Sequence, residues 1–208
     1  MLQIIPALLV AITVVIQCLA VQMSRYRLSR MNARPPHHGL ALMSGMLAAA
    51  AIILRLYQND SAVGVLFMTI MTGCMTLMTL TDAASCRLPR PFTIMYLISG
   101  SAFRLWQGDW LTGLCSAGFW FLLLLLFRQY TSYRRKTETI GLGDVFLIAG
   151  IAIWSPPGDI PWIVATAAGG ALLYLWCNRQ RRITRELPFG PILCASQYAF
   201  TFYPGGLW

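Results

Sequence analysis

Charged side chains are scarce in this sequence. Only 11% of its 208 residues are charged and 57% are hydrophobic, whereas soluble domains usually carry about 25% charged residues. Acidic residues are especially few, with seven Asp and Glu against sixteen Lys and Arg. This composition excludes an ordinary soluble domain and indicates a membrane protein.

Clustered metal ligands are also lacking. The six cysteines form no C-x-x-C pair, and most of them lie within apolar runs. Zinc sites and disulfide frameworks need ligands that are clustered or carried on loops. His37 and His38 are neighbours, but two histidines without further ligands are typical of an ordinary loop. We therefore predict no metal site and no cofactor.

Long apolar segments make up most of the chain. A membrane helix needs about 20 mostly apolar residues, and eight candidate segments occur, of which the sixth and eighth are short and interrupted by Gly or Pro. They run over approximately 2–23, 39–57, 61–81, 91–106, 110–127, 142–155, 161–177 and 188–204. The first has no basic n-region and is too long for a cleavable signal, so we expect it to be retained. The predicted fold is an all-α, polytopic bundle of about eight transmembrane segments, forming one domain over 1–208.

Basic residues concentrate in alternate loops. They cluster around residues 25–34, 87–90, 128–136 and 179–185, and the intervening loops carry aspartates instead. Arg104 lies near an opposite helix end, where it can extend to the interface. The pattern predicts that the basic loops are cytoplasmic and that both termini lie outside. Topology then explains the net charge of +9 without a nucleic acid, and anionic membrane lipid is the expected contact.

Two carboxylates remain that loops and turns do not explain. Asp82 ends the third apolar segment and Asp144 opens the sixth, so the predicted topology brings both to a similar depth on the cytoplasmic side. An ionisable residue in a membrane segment is a functional candidate, although each could simply lie at the water interface, with Asp144 capping its helix. Two neighbouring carboxyl groups can share a proton and hydrolyse a peptide bond, as in aspartic proteases. Gly141 and Gly143 would permit close approach of an extended substrate.

Three short segments follow one another in order. They are DAASCRLP from Asp82 to Pro89, GLGD from Gly141 to Asp144, and PFGP from Pro188 to Pro191. Together they resemble the type IV prepilin peptidases, a family of GxGD-type membrane aspartic peptidases. The resemblance covers roughly residues 60–205.

This resemblance implies a catalytic pair, Asp82 and Asp144, in a bacterial inner membrane protein. Its substrates would be type IV prepilins or pilin-like subunits of type II secretion, whose basic leader is removed at the cytoplasmic membrane face. The same motifs imply substrate-binding or site-shaping roles for six residues: Pro89, Gly141, Gly143, Pro188, Phe189 and Gly190.

The chain also departs from the family pattern. Residues 24–38 contain none of the zinc-binding cysteines that many members carry there, and Arg90 and Phe146 replace residues usual in the family. The resemblance therefore leaves N-methylation open. Glu138 and Glu186 flank the motifs, and we expect them to receive the basic leader.

Helix dipoles suggest how the two aspartates divide their roles. Asp82 is near the C-terminal end of its helix, where negative charge is disfavoured, and Asp144 is near an N-terminal end, where it is favoured. We therefore predict that Asp82 is protonated and donates to the scissile carbonyl, while Asp144 is ionised and orients the water.

Two alternatives stay open. A non-enzymatic membrane protein, such as a small transporter or an assembly scaffold, would need no paired aspartates, and a transporter would place ionisable residues near the midplane. A presenilin-like peptidase also carries GxGD. Its other aspartate normally follows a tyrosine, however, whereas Thr81 precedes Asp82 here.

Overall fold

The computed structural model describes residues 4–31, 38–57, 61–86, 88–135, 141–177 and 188–202. They form α1 (Ile4–Arg30), α2 (His38–Tyr57), α3 (Ala62–Ser85), α4 (Arg90–Gln107), α5 (Trp110–Arg135), α6 (Leu142–Trp154), α7 (Ile160–Cys177) and α8 (Phe189–Phe202). No β-strand occurs within these ranges. The all-α prediction is therefore confirmed, and each predicted apolar segment coincides with one helix.

Helices α1 and α5 continue beyond the predicted apolar segments. The predictions ended at residues 23 and 127, but the helices end at Arg30 and Arg135. The added turns are rich in Arg, and the extension of α1 also contains Leu28. These residues are good helix formers, and no Gly or Pro interrupts either extension. Apolar length thus predicts the membrane segment, whereas intrinsic propensity decides where the helix itself ends.

Four helices, α1, α3, α5 and α7, are long and apolar enough to cross a membrane. Helices α2 and α6 contain shorter apolar stretches. The chain is therefore a multi-pass membrane protein. The number of eight spans and the outer position of both termini stay predictions.

Helix α3 lies at the centre of the bundle. It packs against α1, α2, α4 and α8, and its residues are almost all buried from Met68 to Asp82. Two polar contacts join it to α1: the hydroxyls of Thr13 and Thr69 are 3.2 Å apart, and Gln17 Nε2 donates to Thr72 Oγ1 at 3.2 Å. Because these contacts advance in the same direction along both helices, α1 and α3 run parallel, with their C-terminal ends at the same side.

Helices α4 and α6 approach closely. A Cβ on Gly150 would lie only 2.5 Å from Cδ1 of Tyr96, so the aromatic ring occupies the space that the glycine leaves. Trp154 Nε1 donates to Tyr96 O at 3.0 Å, and Tyr96 Oη donates to Gln197 Oε1 at 2.7 Å. Tyr96 therefore joins α4, α6 and α8.

Arg104 does not extend to the interface, contrary to the expectation from sequence. Its side chain is buried, with 7% of the residue exposed. Nε donates to Ile153 O at 2.8 Å and Nη2 to Ser155 O at 2.9 Å, while Nη1 contacts Asp109 Oδ2 at 3.4 Å. The last carbonyls of a helix have no partner within the helix. Arg104 of α4 supplies donors at this end of α6, which is the end remote from Asp144.

Candidate active site

Asp82 lies in the last turn of α3 and is almost fully buried, with 4% of the residue exposed. Its Oδ2 accepts a hydrogen bond from the backbone N–H of Gly190 at 2.9 Å. Gly190 is the second residue of α8, and the first N–H groups of a helix have no partner within the helix and form its positive end. The N-terminus of α8 therefore binds the Asp82 carboxylate in the way that helix N-termini bind free anions.

Close packing requires glycine at position 190. A Cβ there would lie 2.8 Å from Asp82 Oδ2 and 3.2 Å from its Cγ. On either side, Pro188 precedes α8 and Phe189 packs against the main hydrophobic core. The structure thus brings the PFGP segment directly onto the first aspartate.

Asp144 lies in the first turn of α6, where Gly141 is the N-cap and provides no side-chain capping bond. The carboxylate is half-buried, and its Oδ2 lies 3.1 Å from the position that a Cβ on Gly141 would take. Within the described ranges its side chain receives no hydrogen bond.

Gly143 connects the second aspartate segment to the first. A Cβ at this position would lie 2.7 Å from Cβ of Leu88. Leu88 packs against the main core and directly precedes Pro89, the N-cap of α4. The end of the DAASCRLP segment thus lies against the first turn of α6.

The two carboxyl groups are close enough to interact electrostatically. Both also lie within electrostatic range of the Cys194 thiol, which is buried in α8. In the described part of the chain, the backbones of α3 and α6 do not approach each other closely, and both helices pack against α4 and α8. The C-terminal end of α3 and the N-terminal ends of α4, α6 and α8 therefore surround the pair. The N-terminal dipoles of α4, α6 and α8 favour negative charge between them, whereas the C-terminal end of α3 disfavours it.

Three residues that the sequence singled out do not contribute described contacts to the two aspartates. Glu138 and Glu186 lie outside the described residues. Phe146 is half-buried, and its ring centroid lies 5.3 Å from that of Phe121 on α5. An apolar contact therefore stands at one of the two positions where the chain departs from the family pattern. Among the residues described, no group of three or more His, Cys, Asp or Glu is arranged to hold a metal ion.

Sequence reasoning missed Leu88 and Cys194 as parts of this site. Leu88 is inside the DAASCRLP motif, but only the contact with Gly143 shows what it does. Cys194 follows Gly190 by four residues, so both lie on one face of α8. That spacing is a signal that could have identified the thiol once Gly190 was placed at the site.

Helical packing and two interacting carboxylates at the helix ends define a polytopic membrane protein with a candidate hydrolytic site. Comparison with known proteins leads to the same class of protein. The chain belongs to the type IV leader peptidase family, whose model matches residues 69–176, a segment that contains both Asp82 and Asp144. The resemblance drawn from the three motifs is therefore confirmed.

Two curated relatives carry the name prepilin leader peptidase/N-methyltransferase. They come from Burkholderia pseudomallei strains 1026b and K96243, and each is 32% identical over 175 residues. The alignment covers 79% of this chain, and the chain spans about half the length of each relative, 53%. No solved structure gives a significant match.

Proposed function

We propose that this chain is a membrane-embedded aspartic endopeptidase that removes the leader from type IV prepilins or pilin-like secretion subunits. One observation supports it above all. Asp82 is buried and held by Gly190, within electrostatic range of an Asp144 carboxylate that receives no hydrogen bond from the described residues. Membership of the leader peptidase family and the names of the two relatives support the substrate class.

The hydrogen bond from Gly190 argues for a different division of roles from the one that helix dipoles alone predict. A backbone N–H that donates to a carboxylate favours its ionised form. The dipole argument considered only the helix that carries Asp82, but the positive end of α8 points at the same carboxylate. We therefore assign Asp82 as the ionised partner that activates the water. Asp144 is the protonated partner that donates to the scissile carbonyl, and the two titrate as one unit.

The position of the pair suits cleavage at the junction between a basic leader and an apolar helix. Both aspartates lie at helix ends, in the last turn of α3 and the first turn of α6. Gly141 leaves space beside Asp144, which an extended substrate backbone can use. In the proposed orientation this end faces the cytoplasm of a bacterium, and the chain lies in its inner membrane. Glu138 and Glu186 would receive the basic leader there.

Co-expression with a candidate prepilin tests this function. We expect the intact chain to yield the mature pilin N-terminus by mass spectrometry, and Asp82→Asn or Asp144→Asn to leave the precursor uncut. Asp159→Asn is the matched control, because Asp159 lies in the turn before α7 and should retain cleavage. Substantial cleavage by either dyad variant, at equal membrane abundance, would refute the catalytic pair. The same spectrum reports whether the new N-terminus also carries a methyl group.

A further inference from the structure

A groove separates α1 from α2 in the half of the bundle that contains the C-terminal end of α1. It has a volume of about 600 Å³, and its walls are formed by α1 from Gln17 to Arg25 and by α2 from His38 to Ala49. It lies outside the candidate active site, since none of the residues that surround the two aspartates lines it.

One end of the groove carries two polar groups with spare donors. Arg25 Nη2 lies 3.3 Å from Nδ1 of His38. Because an arginine can only donate, Nδ1 must accept, and the imidazole proton is then on Nε2. Both side chains are exposed, and no described carboxylate forms an ion pair with either. The remaining guanidinium N–H groups and the Nε2–H thus form a donor set that suits a phosphate.

Below this donor pair the α2 wall is apolar, with Ala41, Gly45 and Ala49 at four-residue intervals beside the larger Leu42 and Met46. The α1 wall opposite is mixed, with Cys18 and Val21 beside Gln17 and Gln22. A Cβ on Gly45 would meet nothing within 4 Å. This part of the groove therefore accommodates a slender apolar chain.

The length of the groove distinguishes a lipid from a helix. Gln17 to Arg25 spans about 12 Å of helix axis and His38 to Ala49 spans about 16 Å, at 1.5 Å per residue. The hydrocarbon core of a bilayer is about 30 Å thick, so the groove extends through roughly one leaflet. An acyl chain with its phosphate at the surface has this length, whereas a partner transmembrane helix needs a face twice as long.

We propose that the groove between α1 and α2 binds one anionic phospholipid, with its phosphate on Arg25 and His38 and one acyl chain along Ala41, Gly45 and Ala49. Binding requires only the folded chain and does not depend on the proposed peptidase activity. Two kinds of variant separate the headgroup contact from the acyl contact.

The test is native mass spectrometry of the purified chain in detergent. Phosphatidylglycerol and phosphatidylcholine with identical acyl chains serve as probes. We expect phosphatidylglycerol to be retained about tenfold or more over phosphatidylcholine, because both lipids carry the phosphate but the choline ammonium of phosphatidylcholine cancels its charge beside Arg25. The Arg25→Gln/His38→Gln double variant should lose this preference. Arg30→Gln is its control, because Arg30 lies near the same helix end, over the ring of Tyr26, and should retain it.

A second pair of variants tests the apolar part. Gly45→Leu should fill the groove and reduce retention of both lipids, whereas Gly39→Leu, also in open space on α2 but outside the groove, should not. Equal retention of the two lipids would overturn the proposal, as would equal effects of a variant and its control. If the unmodified chain were a dimer and Gly45→Leu dissociated it, the proposal would be overturned, and the groove would instead bind a second copy of this chain.

Discussion

Replacement of Gly190 by alanine keeps Asp82 in the chain but shifts its carboxylate, and therefore tests whether the position of that carboxylate matters for cleavage. The added Cβ would lie 2.8 Å from Asp82 Oδ2, 3.2 Å from Cγ and 3.4 Å from Cβ. The Asp82 carboxylate must therefore move away from the new Cβ. The same residue 190 donates the backbone hydrogen bond to this carboxylate at 2.9 Å, so the movement disturbs that bond. The variant keeps both aspartates but lengthens or breaks the bond that orients one of them.

The expected loss follows from the kind of bond. A hydrogen bond to a charged group contributes about 1.5–3 kcal/mol, and each 1.4 kcal/mol of barrier changes a rate roughly tenfold. Gly190→Ala should therefore slow leader cleavage roughly ten- to a hundredfold. Because Gly190 positions Asp82, the loss should be in kcat rather than in KM.

The assay is the time course of prepilin cleavage with purified chain in detergent, over a range of substrate concentrations. Gly169→Ala is the matched control, since a Cβ on Gly169 of α7 meets nothing within 4 Å, and it should cleave at the normal rate. Thermal unfolding of both variants establishes that they are folded. Normal kcat in a folded Gly190→Ala chain would refute the view that this hydrogen bond positions the dyad.

Three further outcomes are expected. Gly143→Ala should slow cleavage because its Cβ would lie 2.7 Å from Leu88 Cβ, and adding Leu88→Gly, which removes that Cβ, should restore part of the rate; simple additivity of the two rate effects would contradict this contact. Tyr96→Phe should lower the free energy of unfolding by about 1–3 kcal/mol, because it leaves the buried Gln197 Oε1 without its donor; an unchanged thermal midpoint would contradict that role. Cleavage by the unmodified chain should show a bell-shaped pH profile, falling at low pH when both carboxyls are protonated and at high pH when both are ionised, and a rate independent of pH would argue against a dyad.

The sequence alone was sufficient to predict most of the fold. The eight predicted apolar runs coincide with the eight helices of the described residues, and four of these helices have the length and apolar character that the bilayer demands of a span. The prediction was weakest at helix ends, where propensity extended α1 and α5 beyond the apolar segments. It was wrong for Arg104, since snorkelling assumes a side chain on the lipid-facing surface, and packing placed this one against the carbonyls of Ile153 and Ser155.

The family and the two candidate aspartates were also readable from sequence, because each motif is local and the three follow in order along the chain. The tertiary structure alone decided how the motifs act on one another. The donor to Asp82 is 108 residues away in α8, and Leu88 contacts Gly143 from a different helix junction. Such contacts depend on how the helices pack. The hydrophobic pattern of one segment does not reveal which other segment it will pack against. Hence the helices and their chemistry could be read along the chain, whereas the hydrogen bond that favours charge on Asp82 required the fold.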